Sequence, residues 1–200
     1  MPYENDVSVY RGKHLEFFRT ASGWEYVRRT NSSNGVTVVA VTKESRLLLV
    51  EQKRAPLNRA VIELPAGLVA PSEDEAVALR RELVEETGYT CSVARFLCSG
   101  AMSPGLTDER NSLYLASGLE SVDGPRGDPP SGDGSIRHAK VRGLQEEGER
   151  IVVHEVPLGA VIPWLARQQE LGAVVDLKVY AGLFFATAPN VRGPSARGEA

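Results

Sequence analysis

Strand-like runs dominate the first third of the chain. "VSVYRGKHLEFFRT" reads as a hairpin or two paired short strands, and "WEYVRRT" as an alternating strand. "GVTVVAVT" and "RLLLVEQK" are two more strands joined by a polar turn, and "RAVIELPAG" is a short one stopped by Pro65 and Gly67. The period then changes to that of a helix. Ser72 with Glu75 three residues later makes a capping box, acidic residues fill the first turn, and Gly88 follows the last periodic residue. Ala76, Leu79 and Leu83, with Val77 and Val84, form the apolar stripe of this helix. Strands "CSVARFLCSG" and "NSLYLASGLE" come next. "DGPRGDPPSGDGSIRHAK" is so rich in Gly, Pro, Asp and Ser that it is assigned no structure and is expected to be mobile. "RIVVHEV" returns as a strand. "PLGAVIPWLARQQELG" and "VDLKVYAGLFFATA" read as helices despite Pro163, and the tail from Pro189 reads as loose. Mixed strands with helices placed mid-chain and late predict an α+β fold, an α/β/α sandwich whose mixed sheet lies between helices, with an N-terminal β extension.

Composition narrows the picture. Two hundred residues with 42% hydrophobic content support one sizeable core, and neither a strong linker nor an internal repeat divides the chain. The net charge is −3 with no block of Lys or Arg, so there is no electrostatic case for nucleic acid, and an anionic substrate would need help from a metal. "MPYENDVSVYRGK" has no apolar core segment, and nowhere do eighteen apolar residues run together. Secretion and membrane spanning are disfavoured and a cytoplasmic location is expected. Cys91 and Cys98 suit small buried residues better than a disulfide or metal site. His14, His138 and His154 are scattered, and His154 alternates along its strand like a surface residue. Ser103 in "GAMSPGL" lacks the glycine spacing of a nucleophile elbow.

The charged helix is the exception to this bland surface. In "RRELVEETGY", Glu82, Glu85 and Glu86 stand at i, i+3 and i+4, so their side chains converge on one flank. Like charges at that spacing repel, so either water dilutes the cluster or something positive binds it. The wider spacing decides. Gly67, five residues, Glu73, seven residues, Arg81-Glu82-Leu83, one residue, Glu85-Glu86, one residue, Gly88-Tyr89 would arise by chance on the order of once in 10⁷ or less at ordinary residue frequencies. With these residues the sequence resembles the Nudix hydrolases, which cleave nucleoside diphosphates linked to another moiety. Outside the box, "VEQKRAPLNRAVIELPAGLV", "SPGLTDE", "VHEVPL" and "VDLKVYAGL" resemble the ADP-ribose pyrophosphatase branch, which also acts on nucleotide sugars.

The resemblance implies magnesium as cofactor, with manganese the alternative, held by Glu82 and Glu86, with Glu85 as ligand or outer partner and the carbonyl of Ala66 completing the site. Oxygen donors of this kind suit a hard cation, which polarises a phosphoryl oxygen and lowers the pKa of bound water. It makes Glu73 and Arg81 an internal ion pair, and gives Gly67 a tight turn and Gly88 a helix C-cap. The water-activating carboxylate is implied in "GLQEEGERIVV": Glu147 as general base, Glu149 as metal ligand or alternative base, and Glu109 as the next candidate. Closure of such a loop over substrate would exclude water. Trp24 resembles the aromatic that stacks on adenine, against the alternative of a half-buried strand aromatic. Arg29 and Arg54 match phosphate-contacting positions, though either could pair with a surface carboxylate instead. Glu63 lies on the metal side as a contact to substrate or metal water, and Met102 packs on the ribose or fills core. Lys53 departs from the aromatic that many relatives carry there.

The implied partner is a small nucleotide, and the implied assembly a homodimer with exchanged N-terminal strands. Residues 1–32 would serve dimerisation and base stacking, 33–188 would be the hydrolase domain with an insertion at about 121–140, and 189–200 a flexible tail. ADP-ribose would yield AMP and ribose 5-phosphate. The alternatives are a nucleotide-sugar hydrolase without ADP-ribose preference and a non-catalytic nucleotide sensor. The complete carboxylate set argues against a sensor.

Overall fold

The computed structural model describes residues 5–32, 34–122, 132–141 and 150–188. Three short strands come first, β1 (Val7–Arg11), β2 (Leu15–Arg19) and β3 (Glu25–Arg29), and form their own antiparallel sheet in that order. Tyr26 stacks on Phe18 with ring centroids 5.3 Å apart and donates to Asp6 at 2.6 Å. Burial and that carboxylate push its phenol up to about 12.

The main body has two further sheets. β4 (Asn34–Ala40), β7 (Ala66–Leu68), β8 (Tyr89–Ala101) and β9 (Arg110–Ser121) are ordered β7-β4-β9-β8, with β4 and β9 parallel. β5 (Arg46–Arg54), β6 (Arg59–Glu63), β10 (Ile136–Val141), β11 (Arg150–Pro157) and β12 (Val174–Val175) are ordered β10-β11-β5-β6-β12. The pleat explains the layering. Val36, Val38, Ala40 and Leu48 project to one side and pack with Ala78, Leu79 and Leu83 of helix α1 (Glu75–Thr87). Val39, Leu47, Leu49 and Ile62 project to the other and pack with Trp164 and Leu165 of α2 (Val161–Glu170) and Val179 and Leu183 of α3 (Leu177–Thr187). The predicted mixed strands between helices are therefore present, with the N-terminal β extension beside them.

Pro163 sits in the first turn of α2, where its missing N–H leaves no intrahelical acceptor unpaired. α3 is capped by Asp176, whose side chain accepts from the Lys178 amide at 2.7 Å. Its Gly182 is a contact point: a Cβ there would come within 2.7 Å of Leu64 Cδ1 and 3.0 Å of Val39. Cys91 and Cys98 are both free, and burial pushes both thiols up.

Several expectations need correction. The cap of α1 is Asp74, not Ser72: the Asp74 side chain accepts from Ala76 N at 2.7 Å, while Ser72 lies outside the helix at φ 68. Glu75 is spent elsewhere, accepting from Ser112 Oγ at 3.0 Å and Tyr114 OH at 2.6 Å. Val77 is 56% exposed, and Ala78 takes its place in the buried stripe. Residues 136–140, read as structureless, belong to strand β10, because pairing along β11 outweighs the loop-like residues before it. Ahead of that strand Ser135 Oγ donates to Asp133 at 2.6 Å, while residues 123–131 of the expected mobile insertion and the tail from Pro189 lie outside the described residues. His154 is 4% exposed, since β11 lies between β10 and β5 and Trp164 covers it at 4.9 Å. Its Nε2 is 2.8 Å from Glu51 Oε2. No helix among the described residues is long and apolar enough to cross a membrane.

Candidate functional site

The buried stripe of α1 includes two carboxylates. Glu82 is 3% exposed and Glu86 2%, where an unpaired charge would be costly to keep. β7 is what they rest on. The Ala66 N–H donates to Glu86 Oε2 at 2.9 Å, and a Cβ on Gly67 would fall 1.9 Å from the Glu82 carboxyl carbon. Gly67 is in strand β7 and not among the glycines with positive φ, so its lack of a side chain serves this close approach, not the tight turn that was expected. Gly88 does cap α1 in the left-handed region at φ 72.

Arg81 organises the remaining charge. Its Nε and Nη2 each donate to Glu73 at 3.0 Å, giving the expected ion pair, and Nη2 also reaches the Leu68 carbonyl at 3.1 Å. Nη1 donates to Glu82 at 2.6 Å, with Glu85 at 3.8 Å. These contacts hold the guanidinium further into its charged range and Glu73 below the usual carboxylate range. One arginine thus ties the loop before the helix to the helix face. Among the described residues no group of three or more His, Cys, Asp or Glu side chains is set to hold a metal. The donors at hand, two buried carboxylates and the backbone of β7, are all oxygen on the acceptor side, and that chemistry fits a hard divalent cation.

A second group lies on β5 and β6. Arg54 donates from Nη2 at 2.7 Å and from Nε at 3.0 Å to Glu63 Oε2, and Gln52 Nε2 donates to the same oxygen at 2.8 Å. Arg54 therefore pairs with a carboxylate, and that carboxylate is the predicted contact Glu63. Gln52 was missed; its signal was the two-residue spacing from Arg54 on one strand face.

The third group joins β3 to the 102–109 loop. Val27 N–H donates to the Leu106 carbonyl at 2.8 Å, Arg28 meets Asp108 at 2.6 Å and Arg29 meets Glu109 at 2.6 Å. Met102 N–H donates to the Glu109 carbonyl at 3.0 Å. Trp24 is 60% exposed, and a Cβ on Gly105 would lie 3.9 Å from its ring. Trp24, Arg29, Met102 and Glu109 thus gather around one loop, with Arg29 in the carboxylate pairing that was its alternative reading. Glu147 and Glu149 lie outside the described residues.

The chain is similar to known proteins in sequence and in fold. The NUDIX domain model matches residues 32–115. A methanol dehydrogenase activator of Bacillus methanolicus is 45% identical over 46% of this chain and 50% of its own. An ADP-ribose pyrophosphatase of Bacillus subtilis (strain 168) is 36% identical over 62% of each. The chain thus spans between half and two thirds of the length of these two relatives. A Caenorhabditis elegans protein provisionally named nudix hydrolase 2 is 32% identical over 93% of this chain and 87% of that one. The crystal structure of a hydrolase of ADP compounds superposes with a TM-score of 0.62 at 19% identity, covering 90% of this chain and 89% of that one, a likeness of fold. With a near full-length relative and a domain model spanning the box, the chain belongs to the Nudix family.

Proposed function

We propose that the protein is a metal-dependent pyrophosphatase that hydrolyses ADP-ribose, or a related nucleoside diphosphate sugar, at its pyrophosphate bond. The observation that carries this reading is the pair of buried carboxylates, Glu82 and Glu86, brought against β7 by a glycine that leaves no room for a side chain. The ADP-ribose pyrophosphatase named among the relatives supports the substrate class.

In this reading Glu82, Glu86, Glu85 and the Ala66 carbonyl hold magnesium or manganese, with Glu149 as a further ligand. When bound, the ion would polarise a phosphoryl oxygen and ease deprotonation of water. Arg54 and Arg29 meet phosphate oxygens by exchanging part of their contacts with Glu63 and Glu109 for charge-assisted bonds to the substrate. Trp24 offers a face to the base, and Met102 packs near the sugar. Water attacks phosphorus in line while Glu147 accepts its proton, with Glu149 or Glu109 as alternatives. AMP and ribose 5-phosphate leave. The protein works in the cytoplasm as a homodimer, with residues 1–32 joining the partner and 33–188 forming the hydrolase.

Purified protein with magnesium, screened against ADP-ribose, nucleotide sugars, diadenosine polyphosphates and dNTPs, is expected to turn over ADP-ribose or a nucleotide sugar. Glu86→Gln is expected to abolish that turnover with an unchanged circular dichroism spectrum. Silence of the unmodified protein on every compound would overturn the hydrolase reading and favour a nucleotide sensor.

A further inference from the structure

We infer that Gln52 is a positioning residue that sets the Arg54 guanidinium for an anionic substrate by fixing Glu63, a role that rests on the pyrophosphatase reading. The three side chains share one face of the β5–β6 pair. Glu63 lies opposite Val50, so it points to the same side as Val50, Gln52 and Arg54 along β5. Burial falls away along the chain of contacts. Gln52 is 3% exposed, the Glu63 side chain 11% and the Arg54 side chain 43%. The amide of Gln52 and the guanidinium of Arg54 converge on one oxygen, Glu63 Oε2, at 2.8 and 2.7 Å.

The amide orientation is chemically compelled, because the reverse flip would set the Gln52 carbonyl against a carboxylate, acceptor on acceptor. That orientation leaves the buried Gln52 Oε1 with no hydrogen-bond partner among the described residues. A buried acceptor without a partner costs stability and calls for an explanation. Methionine, of similar length and without polar atoms, would avoid this cost but take a donor from the buried Glu63 carboxylate, so the unpaired oxygen alone does not account for a glutamine here. Its Nε2–H does: it holds Glu63 in one rotamer, and the fixed carboxylate holds the plane of Arg54. Orientation matters to a guanidinium because its donors form a rigid fork that binds phosphate oxygens only when correctly aimed. Residues that violate a local stability rule while serving a neighbouring site are a recurrent signature of function.

Gln52→Met in the full-length protein tests this with three readouts. Its melting temperature should change little, since the donor lost to Glu63 offsets the relief of the unpaired amide oxygen. The Arg54 side-chain Nε–H resonance, assigned by its loss in Arg54→Lys, should be sharp in the unmodified protein and broadened or lost in Gln52→Met. KM for ADP-ribose should rise roughly 10-fold with kcat little changed, the scale at which supporting partners of a site act. A lowered melting temperature with unchanged KM and an intact Arg54 signal would overturn the inference and leave Gln52 a structural residue. A raised KM with an intact Arg54 signal would also overturn it, in favour of direct contact between Gln52 and substrate. The resonance and melting readouts need no turnover, so they decide the positioning of Arg54 even if the protein hydrolyses none of the compounds screened.

Discussion

Position 67 shows how much a single absent methyl group can carry. Gly67 and Glu82 are fifteen residues apart in sequence, yet an added Cβ would meet the Glu82 carboxyl at 1.9 Å. Gly67→Ala is therefore expected to displace Glu82, abolish the proposed metal-dependent turnover and destabilise the fold by about 1–3 kcal/mol, the usual cost of overpacking, measured by urea unfolding. An active, equally stable variant would show that β7 has room to retreat. The box spacing made this glycine legible as important, because its distances to Glu73 and Glu82 are fixed. The physical reason was not legible, since a close approach between strand and helix exists only once α1 packs on β7. Gln52 escaped for a related reason: its two-residue spacing from Arg54 marks a shared strand face, but that spacing gains meaning only once its partner Glu63 arrives from the next strand.

Among elements, helix α1 was read correctly at its end and incorrectly at its start. Gly88 in the left-handed region is a local requirement, so sequence carries it. At the other end Ser72 and Asp74 compete as caps, and long-range bonding decides. Glu75, the would-be partner of Ser72, accepts instead from Ser112 and Tyr114 on β9, leaving Asp74 to meet the Ala76 amide. Burial and the Glu75 carboxylate push the Tyr114 hydroxyl above its ordinary range. Asp74→Ala should cost about 1 kcal/mol in urea unfolding, as loss of a cap typically does, and Ser72→Ala markedly less. The reverse order would restore Ser72 as the cap. His154 carries the same lesson: alternation identified its strand, but a neighbour on each side and a helix above made the face that looked solvent-facing a buried one.

The molecule as a whole combines an N-terminal three-stranded sheet with a two-sheet body between helices. The layering was legible because apolar periodicity reports which faces are covered. Strand order was not, because the parallel β4–β9 and β6–β12 pairings join segments far apart in sequence. The N-terminal sheet leaves Val7, Val9, Tyr10 and Leu15 at 62, 47, 70 and 48% exposure. Sedimentation velocity is expected to show a dimer, and the double variant Val7→Asp, Val9→Asp to weaken it roughly 10-fold or more, as charges placed in an apolar contact do. A monomer at micromolar concentration would remove the dimer from the proposal.

Leu64 and Pro65 link Glu63, the end of one body sheet, to Ala66, the start of the other, and both linking residues are buried. From Glu63 to Ala66 the chain can extend at most about 11 Å. Leu64 is seated against Gly182 of α3, where even one added carbon would collide. This short link bears on inheritance. Substitutions along β5 and β6 can alter what the strand side receives while α1 and β7 keep their carboxylates in register. A residue gained or lost at the link would shift one half against the other. Descendants of this sequence are therefore expected to diversify by exchange of side chains on the strands and to keep the length of the link constant.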